Sequence, residues 1–542
     1  MTGVLVFVLA ALAVAIAVQL IAGRTGLPAA ALLTLVGMGY SALPGPNVEL
    51  DPHLVLTFVI PPLLYSAAIN SSAVAIRRNL RSVVSLSVVL VFLTALLVGV
   101  GFSLWVPGIT LAAGIALGAA VAPPDPVAAL SIGRRLGLPN KLITLIEGEG
   151  LLNDATALTI FSVAVSAAMH GSFSAPRAGL QFLLAAAGGL LVGVAVALVV
   201  RFLRIHVRDP ILVNSISLAT PFAAYLLGEE LHVSGVLAVV IAGLVVAHET
   251  PRFTSGTSRL QVGAVWRLVD FLLESLVFLL IGQQLASVVR GLDAYDTPTI
   301  VTAVAVSVGV VLLVRPLWLV LTQSMPRRMH LRLGGSDPND DVRLSPQEVV
   351  ILSWAGTRGV ISLAAIFTLP VAVGSSPEFP GRTLMLFCTF VVVLVTLVGQ
   401  GLTFGPLVRA IGLRAEAADA ATLRNEARIA AAKAGLARLE ELAENEDEGV
   451  GEDTVTRLRQ SLTIELERAQ RRLELLESGD NGEITASPDY EAGIRARRAV
   501  LDAQREELLR WRDAGRLPDL SLRILQRELD HQENALSRGA ES

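Results

Sequence analysis

Charged residues are scarce in this 542-residue chain. They make up 17% of it, hydrophobic residues make up 53%, and a soluble domain needs about 25% charged residues to cover its surface. The shortage is uneven, since residues 1–410 carry a net charge of +4 and residues 411–542 a net charge of −8. An ordinary soluble protein is excluded. We predict two domains in different surroundings, lipid for the first and water for the second: an apolar transmembrane domain over 1–410 and a charged helical cytoplasmic domain over 411–542.

Cysteine and clustered histidine are also lacking. The single cysteine, Cys388, lies in an apolar run, and the seven histidines are scattered. A disulfide framework, a cysteine metal site and a His-Glu-x-x-His zinc site are therefore excluded. The charged region contains no glycine-rich phosphate loop. We expect no cofactor and no nucleic-acid partner.

Long apolar runs are what the chain has in abundance. A helix needs roughly 20 apolar residues to cross the hydrocarbon core. We predict an all-α membrane protein with about thirteen transmembrane helices, the first of them retained rather than cleaved as a signal peptide. The predicted spans are 3–22, 27–43, 52–70, 82–105, 108–132, 142–169, 178–200, 211–228, 233–248, 265–289, 298–322, 346–374 and 383–410.

The basic residues of the loops predict the orientation, because cytoplasmic loops are rich in Lys and Arg. Alternate loops hold Arg24; Arg77, Arg78 and Arg81; Arg134, Arg135 and Lys141; Arg201, Arg204 and Arg208; Arg252 and Arg259; and Arg327, Arg328, Arg332 and Arg343. The intervening loops hold only Arg177, Arg290 and Arg382. We therefore place the N-terminus outside and the C-terminus in the cytoplasm.

Four charged residues lie deep inside apolar runs: Asp125, Glu149, Asp154 and Arg358. A charge at the bilayer centre costs about 2.5–3.5 kcal/mol even on lenient scales. A receptor or membrane scaffold needs no such residues, so they favour a transport or catalytic pathway through the membrane.

Two of the predicted spans are interrupted. Pro123-Pro124-Asp125-Pro126 breaks the fifth span, since each proline lacks an N–H and clashes with the preceding turn. Gly356-Thr357-Arg358-Gly359 weakens the twelfth. The fifth and twelfth spans are seven apart in chain order. Because consecutive spans cross the membrane in opposite directions, two repeats offset by an odd number of spans have inverted orientations. Broken helices at matching places in inverted repeats indicate the binding site of a transporter.

The sixth span carries Glu149, Asn153 and Asp154. Glu149 and Asp154 lie about 140° apart around a helix, so one is free to pair with an arginine while the other faces a cavity. A carboxylate in a low-dielectric cavity is able to hold either a proton or a cation near neutral pH. An exchanger needs this property, although a structural ion pair is the simpler interpretation of Glu149.

These residues resemble the NhaP/NHE-type sodium/proton antiporters, the electroneutral branch of the monovalent cation:proton antiporter family. The resemblance covers the whole chain. It rests on the motifs Asp125-Pro126-Val127-Ala128, Gly148-Glu149-Gly150-Leu151-Leu152-Asn153-Asp154 and Arg358-Gly359-Val360-Ile361-Ser362-Leu363, with support from Ser234-Gly235-Val236-Leu237-Ala238 and Pro61-Pro62-Leu63-Leu64.

The resemblance implies electroneutral exchange of Na+ or K+ for H+ across a bacterial plasma membrane, in a homodimer active in pH homeostasis. It makes Asp154 the carboxylate that binds the cation or the proton, with Asp125 facing the same Na+ or K+ from the broken fifth span. Asn153 is the neutral neighbour typical of the electroneutral branch. Glu149 is expected to pair with Arg358.

Three positions depart from the family pattern. Many relatives have an acid where this chain has Ser66, a threonine where it has Pro124, and a serine where it has Gly150. Side-chain oxygens are thus fewer than usual. We predict that the ion site consists of Asp125, Asn153, Asp154, Ser66 and the backbone carbonyl region of Pro124, and selectivity between Na+ and K+ stays open.

The charged region alternates amphipathic helical patterns with breaks. Helices are predicted over 415–445, 453–478, 489–514 and 519–538. The region is either a small helical bundle that stabilises the dimer or a regulatory domain that senses pH or a partner.

Three other functions remain as alternatives. The first is a K+/H+ exchanger and the second a cation channel, whose pore needs no titrating carboxylate at a repeat interface. The third is an intramembrane hydrolase with Ser66, Ser131 or Ser362 as nucleophile. We do not expect an enzyme, because no histidine is predicted to lie in the middle of a span beside these serines.

Overall fold

The computed structural model describes residues 2–42, 52–170, 175–207, 209–253, 256–324, 344–371, 379–413, 417–444 and 452–477, and short stretches and single positions between 496 and 529. Every regular element in these residues is helical. The chain divides into two compact units, Met1–Ala415 and Glu416–Ser542.

The first unit contains the apolar helices. They are α1 (Thr2–Thr25), α2 (Ala29–Ser41), α3 (Pro52–Leu54), α4 (Ile60–Ile69), α5 (Ala73–Arg78), α6 (Leu80–Val84), α7 (Leu90–Trp105), α8 (Leu111–Val121), α9 (Val127–Leu136), α10 (Asn140–His170), α11 (Ala175–His206), α12 (Pro210–Glu230), α13 (Gly235–Phe253), α14 (Gly256–Gln283), α15 (Leu285–Arg290), α16 (Thr297–Ser324), α17 (Pro346–Trp354), α18 (Val360–Phe367), α19 (Arg382–Leu394) and α20 (Gly401–Ile411). Single π-helical segments join α3 to α4, α6 to α7 and α19 to α20.

Each of the thirteen predicted spans overlaps helix in the first unit. Seven helical segments in the described residues are long and apolar enough to cross a membrane, and four shorter helices are also apolar. Several of the long helices present bulky apolar side chains outward, among them Leu191, Phe202 and Leu317 at 64–67% exposure. A surface of this kind suits contact with lipid. The count of thirteen crossings stays a prediction.

Both predicted breaks are present. Helix α8 ends at Val121 and α9 begins at Val127, with the Pro-Pro-Asp-Pro sequence between them. Helix α17 ends at Trp354 and α18 begins at Val360. In each case a span that reads as one apolar run is built from two half-helices with irregular backbone between them. The irregular segments leave backbone N–H and C=O groups without helical partners, and these groups build the site described below.

The second unit contains two long described helices, α21 (Ala417–Glu444) and α22 (Glu452–Glu477), which pack against each other. Ala432 and Leu439 of α21 and Val455 and Ala469 of α22 are buried. These two helices agree with the predicted segments 415–445 and 453–478. The predicted helices 489–514 and 519–538 lie largely outside the described residues.

Candidate ion-binding site

A cavity of about 350 Å³ lies between α4, the two broken segments, α10 and α14. Its wall includes four of the five residues predicted to bind the ion, namely Ser66, Pro124, Asp125 and Asp154. Residues from α14 and from the start of α18 complete it. The structure therefore collects side chains from five separate parts of the chain around one space.

The two broken segments hold each other by reciprocal hydrogen bonds. The backbone N–H of Asp125 donates to the carbonyl oxygen of Thr357 at 2.6 Å, and the hydroxyl of Thr357 donates to the carbonyl oxygen of Asp125 at 2.7 Å. Backbone groups that the helix breaks leave free are thereby satisfied. The pairing fixes the position of Asp125 relative to the second break.

The carboxylate of Asp125 lies against the backbone of Gly359. Its Oδ1 accepts a hydrogen bond from the backbone N–H of Val127 at 3.0 Å, at the start of α9. A Cβ added at Gly359 would lie 1.7 Å from Oδ2 of Asp125. Only glycine at position 359 therefore allows Asp125 its observed position on the cavity wall.

Asp154 lies on α10 and reaches the same cavity. It is 5% exposed, and it lines the cavity together with Asp125. Among the residues that the structure describes, neither carboxylate pairs with a basic side chain. Two acids that share a cavity without a counter-charge attract cations and protons.

Asn153 does not line the cavity. Its side chain is fully buried, and Nδ2 donates to the carbonyl oxygen of Pro124 at 2.8 Å. The carbonyl that the sequence offers as a substitute cation ligand thus accepts this hydrogen bond. Gly150, one turn earlier on α10, lets the helix approach the break, since a Cβ there would lie 2.5 Å from Cγ of Pro126. Asn153 therefore positions the broken segment.

The predicted pairing of Glu149 with Arg358 is wrong. Glu149 pairs instead with Arg315 of α16, through Nη1 to Oε1 and through Nη2 to Oε2, the second at 2.8 Å. Both side chains are almost fully buried, with 4% and 2% exposed. The two parallel donors of a guanidinium match a carboxylate. Arg315 was not among the charges singled out from the sequence, although it stands in an apolar span before Pro316.

Arg358 satisfies backbone carbonyls at the two breaks. Its Nε donates to the carbonyl oxygen of Val121 at 2.9 Å, and Nη1 donates to that of Gly356. Arg315 acts in the same way through Nε, which donates to the carbonyl of Leu352 at 2.8 Å. The C-terminal ends of α8 and α17 carry partial negative charge. Two arginines thus compensate the two half-helix ends, and neither pairs with Asp125 or Asp154.

The sequence reading also missed two acids of α14 in the cavity wall. Asp270 and Glu274 line the cavity with Ser66, and the Ser66 hydroxyl donates to Oδ2 of Asp270 at 2.6 Å. Two acids four residues apart in an apolar helix lie on one face, which is the signal that was available. At the edge of the cavity, Arg134 pairs with Glu147.

Comparison with known proteins agrees with this geometry. The family described as "Sodium/hydrogen exchanger, transmembrane" matches residues 8–410. An uncharacterized Na(+)/H(+) exchanger of Mycobacterium tuberculosis is 32% identical over 536 residues, which cover 97% of this chain and 95% of the relative. The sodium, potassium, lithium and rubidium/H(+) antiporter of Bacillus pumilus is 31% identical over 379 residues, 68% of this chain and 56% of that protein.

The fold is similar to that of a solved antiporter. The structure of the sodium proton antiporter MjNhaP1 from Methanocaldococcus jannaschii aligns with a TM-score of 0.59 at 19% sequence identity, over 75% of this chain and 98% of that chain. The relatives are named as transporters rather than enzymes. With the family match over most of the chain, these findings show that this multi-pass membrane protein belongs to the sodium/hydrogen exchanger family.

Proposed function

We propose that the chain exchanges Na+ or K+ for H+ across the bacterial plasma membrane, and that Asp154 is the carboxylate for which cation and proton compete. The observation that carries the proposal is the shared cavity of Asp125 and Asp154 at the crossing of two broken helices. Binding sites in transporters with this architecture lie where interrupted helices meet.

The placement of the basic residues supports this role. Arg315 pairs with Glu149, and Arg358 donates to backbone carbonyls. A transported cation that enters the cavity therefore meets carboxylates that pair with no arginine among the residues that the structure describes. When the cation leaves, a proton neutralises the same acid, and the energetic cost of a buried, unpaired charge is avoided. Either ion is bound, but not both at one carboxylate.

Electroneutral exchange follows if a single acid of the Asn153–Asp154 pair titrates. Asn153 carries no charge and its amide holds the carbonyl of Pro124, so the pair exchanges one proton for one monovalent cation. Asp125 then remains in one charge state and orients the site.

Sodium and potassium are both candidates. The relative from Bacillus pumilus is named for sodium, potassium, lithium and rubidium, and that name supports a site of broad selectivity here. We also propose a homodimer with its N-terminus outside and its C-terminus in the cytoplasm. Arg134, half exposed at the cavity edge, lies in the last turn of α9 and is one of the basic residues predicted to face the cytoplasm, so the cavity is proposed to open inward.

Flux in proteoliposomes tests the proposal. The purified protein is reconstituted with a pH-sensitive dye inside, and an outward gradient of Na+ or of K+ is imposed in separate experiments. An antiporter acidifies the lumen only when the cation gradient is present. A cation channel instead gives cation flux without obligatory proton movement, and that result would exclude exchange.

A further inference from the structure

The cavity has a second acidic wall. Asp125 and Asp154 belong to the crossing of the broken helices and to α10, whereas Asp270 and Glu274 come from α14. Helix α14 packs against α2, α12, α4 and α18, so these acids reach the space from a helix separate from α10 and from the first broken segment. The four carboxylates are brought together by tertiary packing alone.

Asp270 is held in a defined orientation. The Ser66 hydroxyl donates to Oδ2 at 2.6 Å, a short distance typical of hydrogen bonds to an ionised carboxylate. The other oxygen, Oδ1, is buried and has no hydrogen-bond partner among the described residues. Burying such an oxygen without a partner is costly, and a cation in the cavity would satisfy it.

The negative charge of the cavity lining also favours the binding of cations. Among its described lining residues Arg134 is the basic one, and it pairs with Glu147. Asp125, Asp154, Asp270 and Glu274 have no such counter-charge within the part of the chain that the structure describes. Clefts lined by one sign of charge raise the local concentration of the opposite ion.

We propose that Asp270 is a specificity-determining residue that binds the transported monovalent cation from the α14 wall through Oδ1, and that Ser66 is its positioning residue. The inference rests on the proposed exchange function and extends it. Asp154 remains the acid that alternates between cation and proton. Asp270 raises the affinity of the cavity for the cation and contributes an oxygen to the choice between Na+ and K+.

The test compares Asp270→Asn, Ser66→Ala and the double variant with the wild type in reconstituted vesicles, with Na+ and K+ assayed separately. Asp270→Asn is expected to raise the KM for the cation about tenfold and to lower the maximal rate by less, as loss of ground-state binding does. Ser66→Ala should raise KM in the same direction but less. The double variant should match Asp270→Asn, because the serine acts through the aspartate.

Asp293→Asn is the matched control, since Asp293 is exposed in the turn Leu292–Ala294. Its KM should equal that of the wild type. If Asp270→Asn does not fold, as judged by melting temperature and gel filtration, Asp270→Glu and Ser66→Ala test the inference in its place. Asp270→Glu retains the charge, so its KM should be closer to that of the wild type than the KM of Ser66→Ala.

The outcomes separate the two proposals. A wild-type protein that carries out no exchange contradicts the proposed function. Exchange by the wild type with unchanged KM values in Asp270→Asn and Ser66→Ala overturns the role of Asp270 while leaving exchange intact. A lower melting temperature with unchanged KM values assigns Asp270 a structural role and overturns the inference equally.

Discussion

Asp154 and Glu149 lie on the same helix, yet their surroundings differ. Glu149 faces Arg315 of α16 and accepts two hydrogen bonds from it. Asp154 faces the cavity, and within the described residues no basic side chain pairs with it. A satisfied buried ion pair contributes to holding helices together, and an unpaired carboxylate in a cavity is available to a ligand. Two carboxylates on one helix thus have different partners because the helix turns them toward different neighbours.

The unpaired acid gives the first prediction. Asp154→Asn should abolish cation-driven proton flux, since an amide neither binds a proton near neutral pH nor carries the charge that attracts a cation. The fold should persist, because the change removes no ion pair. Proteoliposome flux and the melting temperature measure the two effects, with Asp293→Asn as the matched control. Substantial exchange by the purified variant would remove Asp154 from its proposed role.

The Glu149–Arg315 ion pair gives the second prediction. Glu149→Gln or Arg315→Ala should lower the free energy of unfolding by about 3–5 kcal/mol, because each change leaves one buried charge without its partner. A variant with both residues neutral should recover part of this loss. Thermal melting and the yield of monodisperse protein are the measurements. If both single variants melt like the wild type yet fail to exchange, Glu149 acts in transport.

At the scale of the helices, the crossing of the two breaks determines the site. Proline ends α8, and the irregular segment that follows is held by two hydrogen bonds between Asp125 and Thr357. Arg358 donates to the last carbonyl of α8, where the helix dipole favours a cation. These hydrogen bonds satisfy part of the irregular backbone within the protein, as backbone inside a membrane protein requires.

Close packing at this crossing gives the third prediction. Gly359→Ala should reduce exchange at least about tenfold, because the new Cβ would displace the Asp125 carboxylate. Gly399→Ala is the matched control, since no atom lies within 4 Å of a Cβ there. Initial rates of flux and expression levels are compared for the two variants. Equal rates in both would show that the contact between Gly359 and Asp125 does not matter for transport.

For the whole molecule, the charge moved in each cycle is the property to test. With a neutral Asn153 beside Asp154, one monovalent cation exchanges for one proton, and the transport rate should not respond to membrane potential. Recordings on a solid-supported membrane should show no steady-state current when a Na+ gradient drives proton flux. A sustained current would mean that a second acid, such as Asp125, also exchanges its proton.

Much of this protein can be read from its sequence, for local physical reasons. Apolar runs predict helices in a membrane because no other local structure satisfies the backbone there. Proline at 123, 124 and 126 interrupts a helix wherever it stands. Asp125 and Asp154 stand out because a charge in an apolar run is costly. These features depend on residues close together in the chain, so the all-helical fold, both breaks and the two central acids were predictable.

Tertiary structure decided which charges meet. Glu149 and Arg315 are 166 residues apart in the chain, and Ser66 and Asp270 are 204 apart. The resemblance to the antiporter family implied a pairing of Glu149 with Arg358, but Arg358 reaches Val121 and Gly356 instead. Hydrogen bonds of this kind depend on the distance and angle between donor and acceptor. Helix packing determines both, and neither can be predicted from apolar periodicity or residue spacing. The second acidic wall of the cavity exists only because packing brings α14 to the same cavity as α10.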